Sequence, residues 1–346
     1  MSLINILKKK SKIDFFTTPS HAQKFFIFSK FRQFYKYDIS ETDAYNPLQA
    51  LNLAQEYAGK IYGTKSTYFL TNGSTSGIIA AVLACVKTGE KVLIWDNAHS
   101  CHKNAVKLAG AIPVSYEVEK DETWGIYLGI DIEKIEEQLK CEKIKAVIVT
   151  SPTYDGVVSD IKKIKEICKK HGCYLIVDEA HGAMYPFCDK LPESAISLGA
   201  DFVIQSLHKT AGGLNPTALL HCNAELDTKS ALNMISTTSP SYPLLASIEK
   251  NIKFLNSPKG RKKILELIKN IENLKKNVPN CEFYAGSDPT KILVKVHGLS
   301  GFELSEYLFK NGIEDEKTNE KSTMLLCGIG TDFKKLKKLE RVLKKI

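Results

Sequence analysis

Tyr174-Leu175-Ile176-Val177 is an unbroken run of strand-forming residues that stops at the polar stretch Asp178-Glu179-Ala180-His181. A short apolar run without polar alternation is how a strand reads when both faces of its sheet are covered. Asp178 then stands at the strand's carboxyl tip. The same pattern recurs on either side. Upstream, residues 66–70, 91–95, 112–116 and 146–150 read as strands, and 74–86, 104–109, 131–139 and 161–170 as helices. Asp131 is the expected N-cap of its helix, with apolar Ile132, Ile135 and Leu139 behind it. Downstream, residues 202–205 form a further strand. Buried strands alternating with helices predict an α/β domain with a mainly parallel sheet covered on both faces.

After residue 245 the pattern changes: residues 248–254 and 262–277 read as long helices. A strand at 291–296, a helix at 303–310, a strand at 323–326 and a helix at 333–344 follow. That is a smaller α+β unit, with Pro240, Pro243 and residues 257–260 as candidate joints. The expected division is an N-terminal segment 1–47, a large domain 48–245 and a small C-terminal domain 246–346.

With 346 residues, 43% hydrophobic and 25% charged, the chain is globular, which excludes disordered, collagenous and disulfide-scaffold classes. The net charge of +9 is nearly all lysine, since arginine occurs only at Arg32, Arg261 and Arg341. Nucleic-acid readers rely on arginine forks, so the lysine clusters are expected to be solvated faces rather than a nucleic-acid site. Nine cysteines without a Cys-x-x-Cys pair suggest reduced thiols, with neither a zinc ribbon nor any other metal site. The longest apolar run, residues 77–86, is too short for a membrane helix, and residues 3–7 are too short for a signal-peptide core. The expectation is a soluble cytoplasmic protein without a membrane partner.

In such sheets ligands bind at the carboxyl ends of the strands. Gly73-Ser74-Thr75 follows a strand and opens a helix, where free N–H groups, hydroxyls and the positive helix end suit a phosphate. A plain helix cap looks the same. No G-x-G-x-x-G or P-loop spacing occurs, so dinucleotide and nucleoside-triphosphate sites lose support. Asp178, at a strand tip, can keep a heteroaromatic nitrogen protonated; a cap or ion pair is the plainer reading. Lys209 follows the strand 202–205 on a predicted loop, flanked by Ser206, His208 and Gly212-Gly213. A lysine that can be partly desolvated there is an amine prepared for Schiff-base chemistry.

Phosphate cradle, strand-tip acid and loop lysine, in that order, resemble the fold-type-I pyridoxal-phosphate enzymes, and within them the ornithine/lysine/arginine decarboxylase family. The resemblance rests on Phe69-Leu70-Thr71-Asn72-Gly73-Ser74-Thr75-Ser76-Gly77, His99 with Gly110-Ala111-Ile112-Pro113-Val114, and Ser151-Pro152-Thr153-Tyr154-Asp155-Gly156-Val157. Val177-Asp178-Glu179-Ala180-His181-Gly182-Ala183, Ser206-Leu207-His208-Lys209 and Thr238-Ser239-Pro240-Ser241-Tyr242 complete it, with Asp38-Ile39-Ser40-Glu41 earlier. It implies the aspartate-aminotransferase fold and pyridoxal 5'-phosphate as cofactor. Lys209 would carry the cofactor as a Schiff base, Asp178 would pair with its ring nitrogen and His99 would lie against its ring. His102 is the alternative to His99, which keeps the family's spacing to Gly110. Gly73, Ser74, Thr75, Ser206 and His208 would hold the phosphate, with His181 and Thr153 near the ring edge. Thr238 would reach the phosphate of a neighbouring subunit, making a homodimer with composite active sites.

The chain departs from the family in stopping soon after the small domain and in reading Thr18-Pro19-Ser20-His21-Ala22-Gln23 where members have Pro-Gly-His-Lys. Ser100 and Cys101 likewise stand where a Lys-Ser pair is familiar. The expected reaction is decarboxylation of a basic L-amino acid, ornithine, lysine or arginine, with Lys209 or His208 returning a proton. Asp38, Glu41 and Asp43, or Glu314, Asp315 and Glu316, could meet the substrate's distal cation. Arg261 and Arg341 sit in lysine-rich helical patterns, which leaves an aminotransferase without its usual carboxylate clamp. Transamination, a lyase reaction on the same scaffold, or a non-catalytic cofactor-binding partner subunit remain the alternatives.

Overall fold

The computed structural model describes residues 2–10, 36–39, 42, 46 and 48–346. Residues 18–23, Arg32, Ser40, Glu41 and Asp43 lie outside the described residues, so the expectations attached to them have no structural counterpart. The strands are β1 (Ser66–Leu70), β2 (Lys91–Trp95), β3 (Ile112–Tyr116), β4 (Lys120–Asp121), β5 (Ile126–Tyr127), β6 (Ile144–Thr150) and β7 (Tyr174–Asp178). They continue with β8 (Phe202–Ser206), β9 (Ala218–Cys222), β10 (Cys281–Phe283), β11 (Lys291–Val296), β12 (Lys317–Thr318) and β13 (Thr323–Leu326).

Seven strands form the large sheet in the order β1-β9-β8-β7-β6-β2-β3. Every pair from β3 to β8 is parallel, and only β9 runs against its neighbours. The α/β expectation with a mainly parallel sheet holds. β6 to β8 are almost wholly buried, as their continuous apolar runs require. The helix Gly73–Cys85 packs on the sheet, and Gly77 allows the approach: a Cβ there would stand 2.9 Å from Ile204 and Leu70 side-chain carbons. The second unit is a four-stranded antiparallel sheet, β10-β11-β13-β12, with the helices Pro258–Asn277, Gly301–Lys310 and Phe333–Leu343. This is the α+β unit that the sequence predicted.

Three local expectations need correction. The helix expected at 104–109 begins at Ser100, because His99 caps it: Nδ1 accepts from the Cys101 N–H at 3.2 Å. Lys209 is not on a loop but in a π-helical turn, Leu207–Ala211. The helix expected at 248–254 spans Tyr242–Leu255, so Pro243 lies in its first turn, where a missing N–H costs nothing, rather than at a joint. Asp131 does cap its helix, accepting from the N–H groups of Glu133 and Lys134.

The helix Leu3–Lys10 docks on Tyr242–Leu255, burying Leu3 and Leu7 while the Leu3 N–H donates to buried Glu249 at 2.7 Å. A second buried polar chain crosses the large sheet. His221 Nδ1 meets Thr67 Oγ1 at 2.9 Å, His221 Nε2 meets Gln205 Oε1 at 3.3 Å, and Gln205 Nε2 donates to Glu179 at 2.6 Å. Ser194 Oγ and the Ala195 N–H also donate to Glu179, each at 2.7 Å. Burial pushes the Glu179 carboxyl up to about 7 despite those donors, and holds the His221 imidazole down at about 3.

Candidate active site

A cavity of about 570 Å³ opens at the carboxyl ends of β2, β6 and β7 and beside the Lys209 turn. It is lined by Gly73, Ser74, Thr75, His99, Thr153, Asp178, His181, His208 and Lys209. Segments far apart in sequence converge there because parallel strands deliver their C-terminal residues to one edge. Two expected members are elsewhere. Ser206 is fully buried, outside the cavity lining, and Thr238 is exposed on the connection before the helix Tyr242–Leu255.

The helix Gly73–Cys85 points its N-terminus at the cavity. Gly73, at φ +73°, donates its N–H to the Pro216 carbonyl at 2.8 Å, and Asn72 provides no side-chain cap. The next N–H groups of the turn and the Ser74 and Thr75 hydroxyls therefore face an anion-ready end. Four buried polar atoms at or near this site have no partner: Trp95 Nε1, His102 Nδ1, Thr150 Oγ1 and Ser206 Oγ. Trp95 and Thr150 line the cavity. Buried polar groups are seldom left unpaired, so this set fits a bound polar group such as a phosphorylated cofactor.

Asp178 Oδ2 accepts from His102 Nε2 at 2.9 Å, and Oδ1 accepts from the Ala180 N–H at 3.1 Å. Burial alone would raise this carboxyl, but the His102 bond and the charges of His102 and Lys209 hold it below the ordinary carboxylate range. An ionised carboxylate in an apolar wall is what a protonated heteroaromatic nitrogen needs opposite it. His102 is fully buried. His99 lines the open cavity, so the two histidines take separate places. Cys101, His102 and Asp178 offer atoms within 4.8 Å of one another. Their geometry is that of a hydrogen-bonded pair beside a thiol that burial pushes up to about 12.

Lys209 Nζ lies 3.1 Å from His181 Nε2, and His208 Nδ1 meets the Thr217 carbonyl at 3.1 Å. Thr153 Oγ1 accepts from the Val157 N–H at 3.1 Å, closing the turn that presents Tyr154 and Asp155. Gly213 gives the Lys209 turn its room: a Cβ there would stand 2.5 Å from Thr217 Oγ1 and 2.7 Å from Leu207 Cβ.

The small unit contributes two lysines that the sequence did not single out. Lys317 Nζ pairs with both oxygens of buried Asp155, at 3.0 and 2.9 Å, and stands 5.2 Å above the Tyr154 ring. Lys291 is buried, with Nζ 2.7 Å from His181 Nδ1. Of the acidic candidates, Glu316 accepts from the Tyr154 hydroxyl, whereas Asp315 is turned to Ser305 and Thr318. Neither Arg261 nor Arg341 lines the cavity.

The model of the Orn/Lys/Arg decarboxylase major domain matches residues 15–296. An arginine decarboxylase of Bacillus subtilis is 32% identical over 322 residues, covering 85% of this chain and 66% of that protein. An uncharacterised protein of the same organism is 30% identical over 304 residues, covering 83% of the chain and 63% of its own length. The chain thus spans a little under two thirds of these relatives. The crystal structure of the Francisella novicida lysine decarboxylase superposes with a TM-score of 0.88 at 20% identity, covering 99% of this chain and 59% of that one.

Proposed function

The chain belongs to the Orn/Lys/Arg decarboxylase family, and on that premise we propose that it removes the carboxyl group of a basic L-amino acid, giving an amine and carbon dioxide. The family is pyridoxal-phosphate dependent. The observation that carries the reading is Lys209 in one cavity with an ionised Asp178 and an uncapped helix N-terminus.

Lys209 is the amine that would hold the cofactor covalently, and Asp178, braced by His102, would hold a proton at the ring nitrogen. His99 would cover the ring face. The N–H groups and hydroxyls of Ser74 and Thr75, with Gly73 and His208, would receive the phosphate, and Thr153 and His181 would border the ring. Bound pyridoxal phosphate supplies an electron sink for the pair left at the substrate's α-carbon when its carboxylate departs. Return of a proton to that carbon falls to Lys209 or His208, both at the cavity wall. Asp155 lines the cavity on the Tyr154 side, paired with Lys317, and is the lining acid that a distal ammonium or guanidinium would meet. Arginine is the first substrate to try, followed by ornithine and lysine, because a relative at 32% identity is named an arginine decarboxylase.

Thr238 supports a homodimer with composite sites: it is exposed and away from its own cavity, as a residue serving a neighbour's phosphate would be. No described helix is long and apolar enough to cross a membrane. The nine free cysteines suit a reducing, cytoplasmic setting.

The test is a visible absorption spectrum of the purified chain with pyridoxal phosphate, then trapped carbon dioxide on adding each of the three amino acids. A band that Lys209→Ala abolishes, with carbon dioxide from one amino acid, is the expected result. A wild-type chain that develops no band overturns the reading.

A further inference from the structure

Among the described residues that line the cavity, two carry carboxylates, Asp155 and Asp178. Both are engaged. Asp178 takes His102 and the Ala180 N–H. Asp155, 3% exposed, accepts from Lys317 through both oxygens, at 3.0 and 2.9 Å. The Lys317 ammonium also stands 5.2 Å from the centre of the Tyr154 ring, whose hydroxyl donates to Glu316. A buried carboxylate beside an aromatic face is the combination that recognises an organic cation. Here that place holds a cation of the chain itself.

The two partners are not equally fixed. Asp155 sits in a turn closed by two backbone bonds, Thr153 N–H to the Val157 carbonyl at 2.8 Å and Gly156 N–H to the Thr153 carbonyl at 3.0 Å. Lys317 belongs to β12, a two-residue strand at the edge of the small sheet, and its side chain is 36% exposed. An ammonium on a long, part-exposed stem can return to water, whereas the buried carboxylate cannot. The lysine is therefore the partner that yields. A carboxylate left alone at that depth is costly, so Asp155 exchanges one cation for another rather than standing unpaired.

We propose that Lys317 is a specificity-determining residue: its ammonium fills the cation site of Asp155 and Tyr154 in the empty cavity, and a substrate is accepted when its own distal ammonium or guanidinium takes the lysine's place. The assignment rests on the basic-substrate reading proposed above. A neutral side chain of the same length cannot make the exchange, because it would strand the buried carboxylate. The tethered lysine also weakens every basic ligand, since only chains with the site vacated are competent to bind.

Binding of L-lysine, L-arginine and L-norleucine to the full chain is measured by titration calorimetry without pyridoxal phosphate, so that nothing turns over. Norleucine is lysine without its distal ammonium. Lys317→Met should tighten lysine and arginine by about tenfold or more and leave norleucine unchanged. Adding Asp155→Asn to that variant should cancel the gain. Asp155→Asn alone should weaken both basic ligands about tenfold relative to norleucine, since the freed lysine then repels them. A Lys317→Met chain that binds lysine and arginine no more tightly than wild type overturns the proposal. So does one that loses all three ligands alike, which would make Lys317 a contact for the α-carboxylate. If Lys317→Met fails to fold by circular dichroism, Asp155→Asn decides alone, and unchanged discrimination between lysine and norleucine overturns the proposal. Failure of the decarboxylase reading would show as no carbon dioxide from the wild-type chain, with the binding shift intact.

Discussion

His102 Nε2 and Asp178 Oδ2, 2.9 Å apart and both buried, form the contact that does most to keep an acid ionised in the apolar wall of the cavity. The pairing exists because the helix carrying His102 starts at Ser100, which turns the ring inward, while β7 ends on Asp178.

His102→Phe keeps a planar ring but removes the donor. A hydrogen bond to a charged group contributes about 1.5–3 kcal/mol, so affinity for pyridoxal phosphate should fall by roughly tenfold to a hundredfold. Titration of the visible band measures it. Unchanged affinity would show that Asp178 needs no brace.

Gly213→Ala should destabilise the chain and disturb Lys209 together. The new methyl would meet Thr217 Oγ1 at 2.5 Å and Leu207 Cβ at 2.7 Å, within the turn that presents the lysine. Overpacking of this kind costs about 1–3 kcal/mol. Thermal unfolding should show the loss, and slower cofactor loading should accompany it. A variant as stable as wild type would mean that the turn can shift freely.

His221 should make the fold acid-sensitive. Its ordinary value is 6.5 and its value in the folded chain is about 3, so the unfolded state takes up a proton that the native state refuses. Its stabilising effect is complete above 6.5 and is lost progressively as the pH falls toward 3. Between about pH 7.5 and pH 5 the loss is about 2 kcal/mol. Buried Glu179, raised to about 7, acts in the opposite direction over part of that range, so the comparison must be between variants. Chemical unfolding of wild type and His221→Gln at the two pH values should give a smaller acid loss for the variant. Equal losses would sink the assignment.

Native alkylation should stop at a single thiol. Cys141 is exposed, and the other eight cysteines are buried. Iodoacetamide followed by mass spectrometry should find one adduct, on Cys141, and full labelling only after unfolding. Rapid modification of Cys101 would mean that the cavity wall opens.

Much of the frame was legible because its signals are local. β2, β3, β7 and β8 are short apolar runs between turn residues, and Asp131 is followed by apolar residues at helical spacing. β9 escaped because Ala218–Cys222 mixes small, apolar and polar residues and takes its partners, β1 and β8, from distant segments. Lys291 and Lys295 have the same parity on β11, so alternation assigns them one face, yet Lys291 is buried and Lys295 is not. What buries Lys291 is Gly156 and the Asp288 turn, a meeting that no sequence period records. The spacing to Gly110 favours His99 over His102, and no local period in the sequence marks His102 as the buried partner of Asp178.

The N–H···O and N···N contacts of Lys317 with Asp155 and of Lys291 with His181 join residues 162 and 110 positions apart. Contacts of such separation form late in folding, after the loop-closure entropy between them has been overcome. A nascent chain can therefore complete its large sheet and expose Lys209 before β11 and β12 exist. Until those strands arrive, His181 lacks Lys291 and Asp155 lacks Lys317. A complete cavity wall becomes a property of the finished molecule, withheld from every shorter intermediate on the way to it.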